Sequence, residues 1–169
     1  MQKQLDQVGE FHSRIGAVIA DSPRLLPHDS ELAGDMAGMV RALHASIDRR
    51  AGADDDLAKR TLMALEELAE WIEAHVAGDL TAAADAWADR SYLLFGDAVA
   101  TGLPVEAVFE AVHRSNMTKS MANPATGKAI KSERYLAPAI DIPGTVDGTV
   151  DVGDVLGPGA TATRLGNDG

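Results

Sequence analysis

The chain has 169 residues, of which 46% are apolar and only 4% aromatic, and it carries a formal net charge of −11. The absence of cysteine excludes disulfides, thiolate nucleophiles and cysteine-based zinc sites. The charge argues against a nucleic-acid surface, although a nucleotide could still be held through metal ions. No apolar run follows a positive N-terminal segment, and none approaches the roughly 20 residues of a membrane span, so a cytoplasmic protein without a membrane partner is expected.

Five helical segments are read in chain order. From about Lys3 to Ala20, Leu5, Val8, Phe11 or His12, Ile15 and Val18 recur at helical spacing. Pro23 and Pro27 break the pattern. From Ser30, read as an N-cap, Leu32, Met36, Met39, Val40, Leu43 and Ile47 form a second stripe that ends near Gly52. Asp54, Asp55 and Asp56 suit the positive end of a third helix, lined by Leu57, Leu62, Leu65, Leu68, Ile72 and Val76 and stopped by Gly78. Asp79 can cap a fourth helix carrying Ala84, Trp87, Leu94, Phe95 and Val99 as far as Gly102. Pro104 fits the first turn of a fifth, whose stripe is Val105, Val108, Phe109 and Val112. Residues 120–140 read as a loop, and Lys119, Lys128, Lys131 and Arg134 make a local basic patch there in an acidic protein. From Asp141 to Gly169 the chain is rich in Gly, Thr, Val and Asp and reads as a tail that stays flexible or orders on assembly.

The third and fourth helices carry the chemistry. Glu66, Glu67 and Glu70 lie one turn apart on the third, and Asp85 and Asp89 do the same on the fourth. If the two helices pack antiparallel across Gly78-Asp79, four or five carboxylates converge. Such a nest repels itself unless a cation sits in it, and hard oxygen ligands suit Mg²⁺ or Mn²⁺. Glutamates at helical spacing are more often a solvated face. Here they adjoin the apolar stripe and lack basic i+4 neighbours. Arg90 and Ser91 fall among Trp87, Leu94 and Phe95 on a helix that reads as buried, so Arg90 needs a partner: either one of the carboxylates or a substrate phosphate or base. The five histidines show no zinc-ligand spacing. There is no Walker loop, Gly-x-Ser-x-Gly elbow or Rossmann fingerprint.

Four segments occur in order: Glu10 to Gly16, Leu65 to Glu70, Ala84 to Asp89, and Val108 to Lys119 with its His-Arg-Ser-Asn-Met-Thr-Lys end. Together they resemble the all-α nucleoside triphosphate pyrophosphohydrolases, the MazG-like superfamily that includes phosphoribosyl-ATP pyrophosphohydrolase, dimeric dUTPases and a phage MazZ-like branch. The loop from Gly127 to Lys131, with Tyr135 and Pro138, looks like the family's C-terminal strap. The resemblance implies an all-α, four- to five-helix bundle over residues 1–140, with 141–169 as a tail, assembling as a homodimer or tetramer. It implies hydrolysis of a nucleoside triphosphate to monophosphate and pyrophosphate, with two or more Mg²⁺ or Mn²⁺ ions per site. Glu66, Glu67, Glu70 and Asp89 would be metal ligands, with Glu66 or Glu67 positioning the water. The second family motif, Glu-x-x-Asp, has alanine at Ala86, and Asp85 could replace the missing ligand. Lys119, Lys128 and Lys131 would hold phosphates or sugar, Asn116 and His12 would face the base, and Arg90 could read a guanine edge, which favours dGTP. dUTP is the alternative substrate, and a non-catalytic nucleotide-binding or scaffold protein the alternative class.

Overall fold

The computed structural model describes residues 1–142; the expected tail lies almost wholly outside them. Five helices follow in order: α1 (Gln2–Ile15), α2 (Ser30–Asp48), α3 (Asp56–Ala77), α4 (Leu80–Thr101) and α5 (Val105–Asn116). Among the described residues there is no strand, only an isolated bridge between Ala122 and Ala129. The fold is all-α. No single described helix is long and apolar enough to cross a membrane.

Three aspartates start three helices. Asp29 accepts from the Leu32 amide, Asp55 from that of Ala58, and Asp79 from those of Thr81 and Ala82, filling donors that a first turn leaves unpaired. Ser30, expected as the cap of α2, is instead its first residue, because Asp29 precedes it with the stronger acceptor. Gly16, Gly78 and Gly102 end α1, α3 and α4 in the left-handed region, at φ of 70–72°, where a Cβ is strained. Gly16 therefore stops α1 at Ile15, five residues short of the expected Ala20, and Val18 falls outside the helix. α2 ends at Asp48 rather than near Gly52. Pro104 stands just before α5 rather than in its first turn, which suits a residue without an N–H.

α2, α3 and α4 pack side by side as an up-and-down trio. Arg41 meets Glu73 across α2 and α3, and Arg60 meets Asp97 at 2.9 Å across α3 and α4. The contact faces are made of small residues. Ala33 and Ala37 of α2 bury against Ile72, with Val40, Leu68 and Trp71 around them; Ala69 is fully buried, and Ala83 and Ala86 are buried on α4. Small side chains bring helix axes close, which leaves the bulky residues outside. Leu32, Met36, Met39 and Leu43, expected as the core stripe of α2, are exposed, as are Trp87, Leu94 and Phe95 of the helix expected to be buried.

α1 and α5 form a second, parallel pair. Lys3 bonds Glu106 at 2.9 Å, Gln7 bonds Glu110 at 2.8 Å, and His113 stands 3.3 Å from Glu10. α5 leaves α4 at 115°. A strap then folds over its C-terminal end: the Ser115 hydroxyl donates to the Leu136 carbonyl, the Ser132 hydroxyl to that of Thr118, and the Leu136 amide to the Thr118 hydroxyl. The Ala122 amide reaches the Ile15 carbonyl at 3.1 Å, tying the strap to α1 as well.

Candidate active site

The antiparallel pairing of α3 and α4 brings the two acidic segments together. Glu67 is the centre. It is half-buried, and its Oε2 is buried without a hydrogen-bond partner. Its carboxyl pKa is pushed up first by burial, then by the charges of Glu70, Asp89, Glu66 and Asp85. The other four carboxylates expected from the sequence thus act on Glu67, and among the described residues no cation pairs with it. The four neighbours are exposed. Among the described residues, no three acidic or histidine groups are closed on a common point tightly enough to hold an ion as they stand.

The donor set suits a divalent cation. It is oxygen only, five-fold and negative, and its most buried oxygen has no partner within the protein, a cost that a cation would remove. Ala86, at the position of the motif glutamate, is buried, whereas Asp85 next to it is exposed.

Among the described residues, Arg90 forms no ion pair with a carboxylate, the first of the two partners expected for it. Its guanidinium lies 4.9 Å from the centroid of the Trp71 ring, a cation–π contact. Trp71 in turn lies against His75 at 4.5 Å, and His75 meets His28 edge-on at 6.0 Å. His75 is buried, with Nδ1 2.8 Å from the Trp71 carbonyl. Arg90 follows Asp89 in sequence, and among the described residues no carboxylate is paired with it.

The other expected substrate residues lie on the second helix pair and its strap. His12 donates from Nδ1 to the Val18 carbonyl at 3.0 Å, just beyond the α1 stop. Lys119 Nζ bonds Asn116 Oδ1 at 2.7 Å, which engages one of its three donors and leaves the Asn116 amide hydrogens for another acceptor. Lys131 lies over the Tyr135 ring at 4.7 Å, and Lys128 is exposed. Among the described residues, no hydrogen bond or ion pair joins any of the five to the carboxylate cluster.

Sequence reasoning missed Arg41 and Glu73. Arg41 grips Glu73 at 3.0 and 2.7 Å and stands 3.9 Å from Glu70. The signal was present: Ala33, Ala37 and Arg41 recur at i, i+4 and i+8, so the arginine shares the face that meets α3.

Five helices with carboxylates gathered between two of them define an acidic-site helical protein. The phosphoribosyl-ATP pyrophosphohydrolase profile matches residues 8–116, more than half of the chain, and the chain belongs to that family of pyrophosphohydrolases. Among solved structures, a proposed NTP pyrophosphohydrolase from Exiguobacterium sp. 255-15 aligns over 80% of this chain and 88% of its own, at 20% identity and a TM-score of 0.48. No curated protein matches.

Proposed function

We propose that the chain hydrolyses a nucleoside triphosphate to the monophosphate and pyrophosphate. The observation that carries this reading is the unpartnered oxygen of Glu67 among four further carboxylates, in a member of a pyrophosphohydrolase family. Glu66, Glu67, Glu70 and Asp89, with Asp85 in place of the motif glutamate, are the ligands for Mg²⁺ or Mn²⁺. When bound, the ions neutralise the phosphate chain and supply Lewis acidity. Glu66 and Glu67 orient the attacking water, and Glu67, whose pKa is raised, accepts its proton on the carboxylate oxygen that does not hold the ion. Water adds in line at the α-phosphorus, the bond to the bridging oxygen breaks, and pyrophosphate leaves. Residues 1–140 act as the catalytic domain.

For the base, Arg90 follows Asp89 in sequence and, among the described residues, has donors free of any carboxylate. A guanidinium pairs bidentately with O6 and N7 of guanine, which makes dGTP the first candidate and dUTP the second. Asn116, Lys119, Lys128, Lys131 and His12 are the remaining substrate residues. As they do not meet the carboxylates within one chain, the working unit is a homo-oligomer in which another copy supplies them.

The test is a panel of NTPs, dNTPs and phosphoribosyl-ATP with Mg²⁺ or Mn²⁺, with products separated by chromatography. One monophosphate plus pyrophosphate is expected, and Glu67→Gln and Asp89→Ala should each lower kcat by about a hundredfold or more. A diphosphate plus phosphate would refute the chemistry. Buried Ala86 favours a second reading, nucleotide binding without turnover. Under it, the whole panel stays intact while Mn²⁺ and a triphosphate still raise Tm.

A further inference from the structure

Among the described residues, the carboxylate cluster has one charged partner from outside its own two helices, Arg41 of α2. It follows Ala33 and Ala37 on the face that packs on α3, and its guanidinium reaches Glu73 and stands near Glu70 of that helix. There Glu73 receives it as a fork, Nε on one carboxylate oxygen at 3.0 Å and Nη2 on the other at 2.7 Å. Nη2 also stands 3.9 Å from Glu70 Oε1, near the cluster but beyond hydrogen-bond reach. Glu73, then Glu70 and Glu66, hold the guanidinium charged, with Glu73 contributing most, against the opposing effect of burial.

A guanidinium has five N–H donors, and Glu73 occupies two. The Nη2 end faces Glu70. Glu73 itself does not act on Glu67, so it stands outside the cluster and belongs to the arginine. An exposed arginine–carboxylate tie contributes little to stability, and these side chains are 40% and 45% exposed. What the fork does achieve is to fix the rotamer of Arg41 with donors to spare, so that an incoming anion orders nothing further. Among the described residues, Lys119, Lys128 and Lys131 make no bond to the cluster, and Arg90 rests on Trp71. Arg41 is the guanidinium held against the carboxylates from the α2 side.

We propose that Arg41 binds a non-bridging oxygen of the β- or γ-phosphate, with Glu73 as the positioning residue that presents it. This rests on the triphosphate reading above.

The experiment compares the full-length wild type with Arg41→Gln, Arg41→Lys, Glu73→Gln and the double variant R41Q/E73Q. Three quantities are measured: Mn²⁺ affinity without nucleotide, pyrophosphate affinity at saturating Mn²⁺, and KM with kcat for the best triphosphate. For R41Q the expected result is a rise of about tenfold in pyrophosphate Kd and in KM, the size of a lost charge-assisted contact, with Mn²⁺ affinity unchanged or tighter. R41K should fall in the same direction, because an ammonium does not reproduce the fork. E73Q should show a smaller rise, and the double variant should match R41Q, since Glu73 acts only through the arginine. If Mn²⁺ affinity falls and pyrophosphate binding falls in proportion, Arg41 serves the carboxylates and the proposal is overturned. A lower Tm with unchanged pyrophosphate affinity and KM overturns it too, by making the pair a plain tie between α2 and α3. Should R41Q not fold, R41K and E73Q decide by the same readouts. If the wild type turns over no triphosphate, the hydrolase reading has failed on its own, and the pyrophosphate comparison still judges Arg41.

Discussion

Glu67 concentrates the conflict built into this site. Burial and four like charges raise its pKa, so the folded state favours the protonated form. The stabilising contribution of that proton is complete below the ordinary carboxylate pKa and is lost as pH rises through the raised value. At neutral pH, without metal, Glu67 is thus a source of instability. Glu67→Gln should therefore be more stable than wild type under those conditions; each kcal/mol relieved corresponds to about 2–4 °C in a chain of this size. The difference should narrow as pH is lowered into the carboxylate range, where protonation does what the amide does. Mn²⁺ should raise the Tm of the wild type and do so much less for the variant. Scanning calorimetry at neutral and acid pH, with and without Mn²⁺, checks all three; a metal-free variant less stable than wild type would contradict the account. Glu67 was legible in the sequence because helical spacing alone places Glu66, Glu67 and Glu70 opposite Asp85 and Asp89 across a two-residue turn. For Arg41 the register with Ala33 and Ala37 indicates the face but not the partner, because Glu73 lies 32 residues away in sequence.

At the scale of the helices, the caps were the most readable feature. Asp55, Asp79, Gly78 and Gly102 each do what their residue type suggests. The misreading of α1 has a specific cause: apolar spacing continues through Val18, but Gly16 takes φ 70°, and a left-handed residue ends a helix whatever follows. Gly16 is also a point of close approach, since a Cβ there would lie 2.9 Å from Met121 Cε. Gly16→Ala should cost about 1–2 kcal/mol from backbone strain alone, lowering Tm by several degrees and loosening the strap that Ala122 ties to Ile15. Gly38, inside α2 with open space around its Cα, is the control: Gly38→Ala should raise stability by about 0.5–1 kcal/mol. Denaturant unfolding of both variants is the check, and equal effects at the two glycines would show that φ is not the cause. The stripe on α2 was misread because periodicity reports which residues share a face, not which face wins the neighbour. Here the alanine face does, because it allows the closer approach.

At the scale of the whole molecule, that choice leaves apolar surface without a partner. A groove of about 580 Å³ runs between α1, α4 and α5, lined by Leu5, Val8, Trp87, Leu94, Phe95 and Val112 among others. Leu94 is 69% exposed, and Val99 beyond it is 85% exposed. Single exposed apolar residues need no explanation, but a continuous lining of this kind is uncommon on a monomer and marks an interaction surface. Within the described residues, the same geometry leaves the proposed substrate residues of α1, α5 and the strap without a bond to the carboxylates of α3 and α4. One assembly would answer both, burying the groove while bringing the basic strap of one copy to the acidic pair of another. Light scattering should therefore give the mass of a dimer or tetramer, and the double substitution Leu94→Glu with Phe95→Glu should shift it to the monomer by placing charge in the groove. If assembly completes the site, that monomer keeps its Mn²⁺ affinity, because α3 and α4 still carry the carboxylates, but loses turnover as KM rises. A monomeric wild type, or a dissociated variant with full activity, would instead mean that one chain gathers its own substrate residues, and the strap would have to reach the cluster by moving over α5.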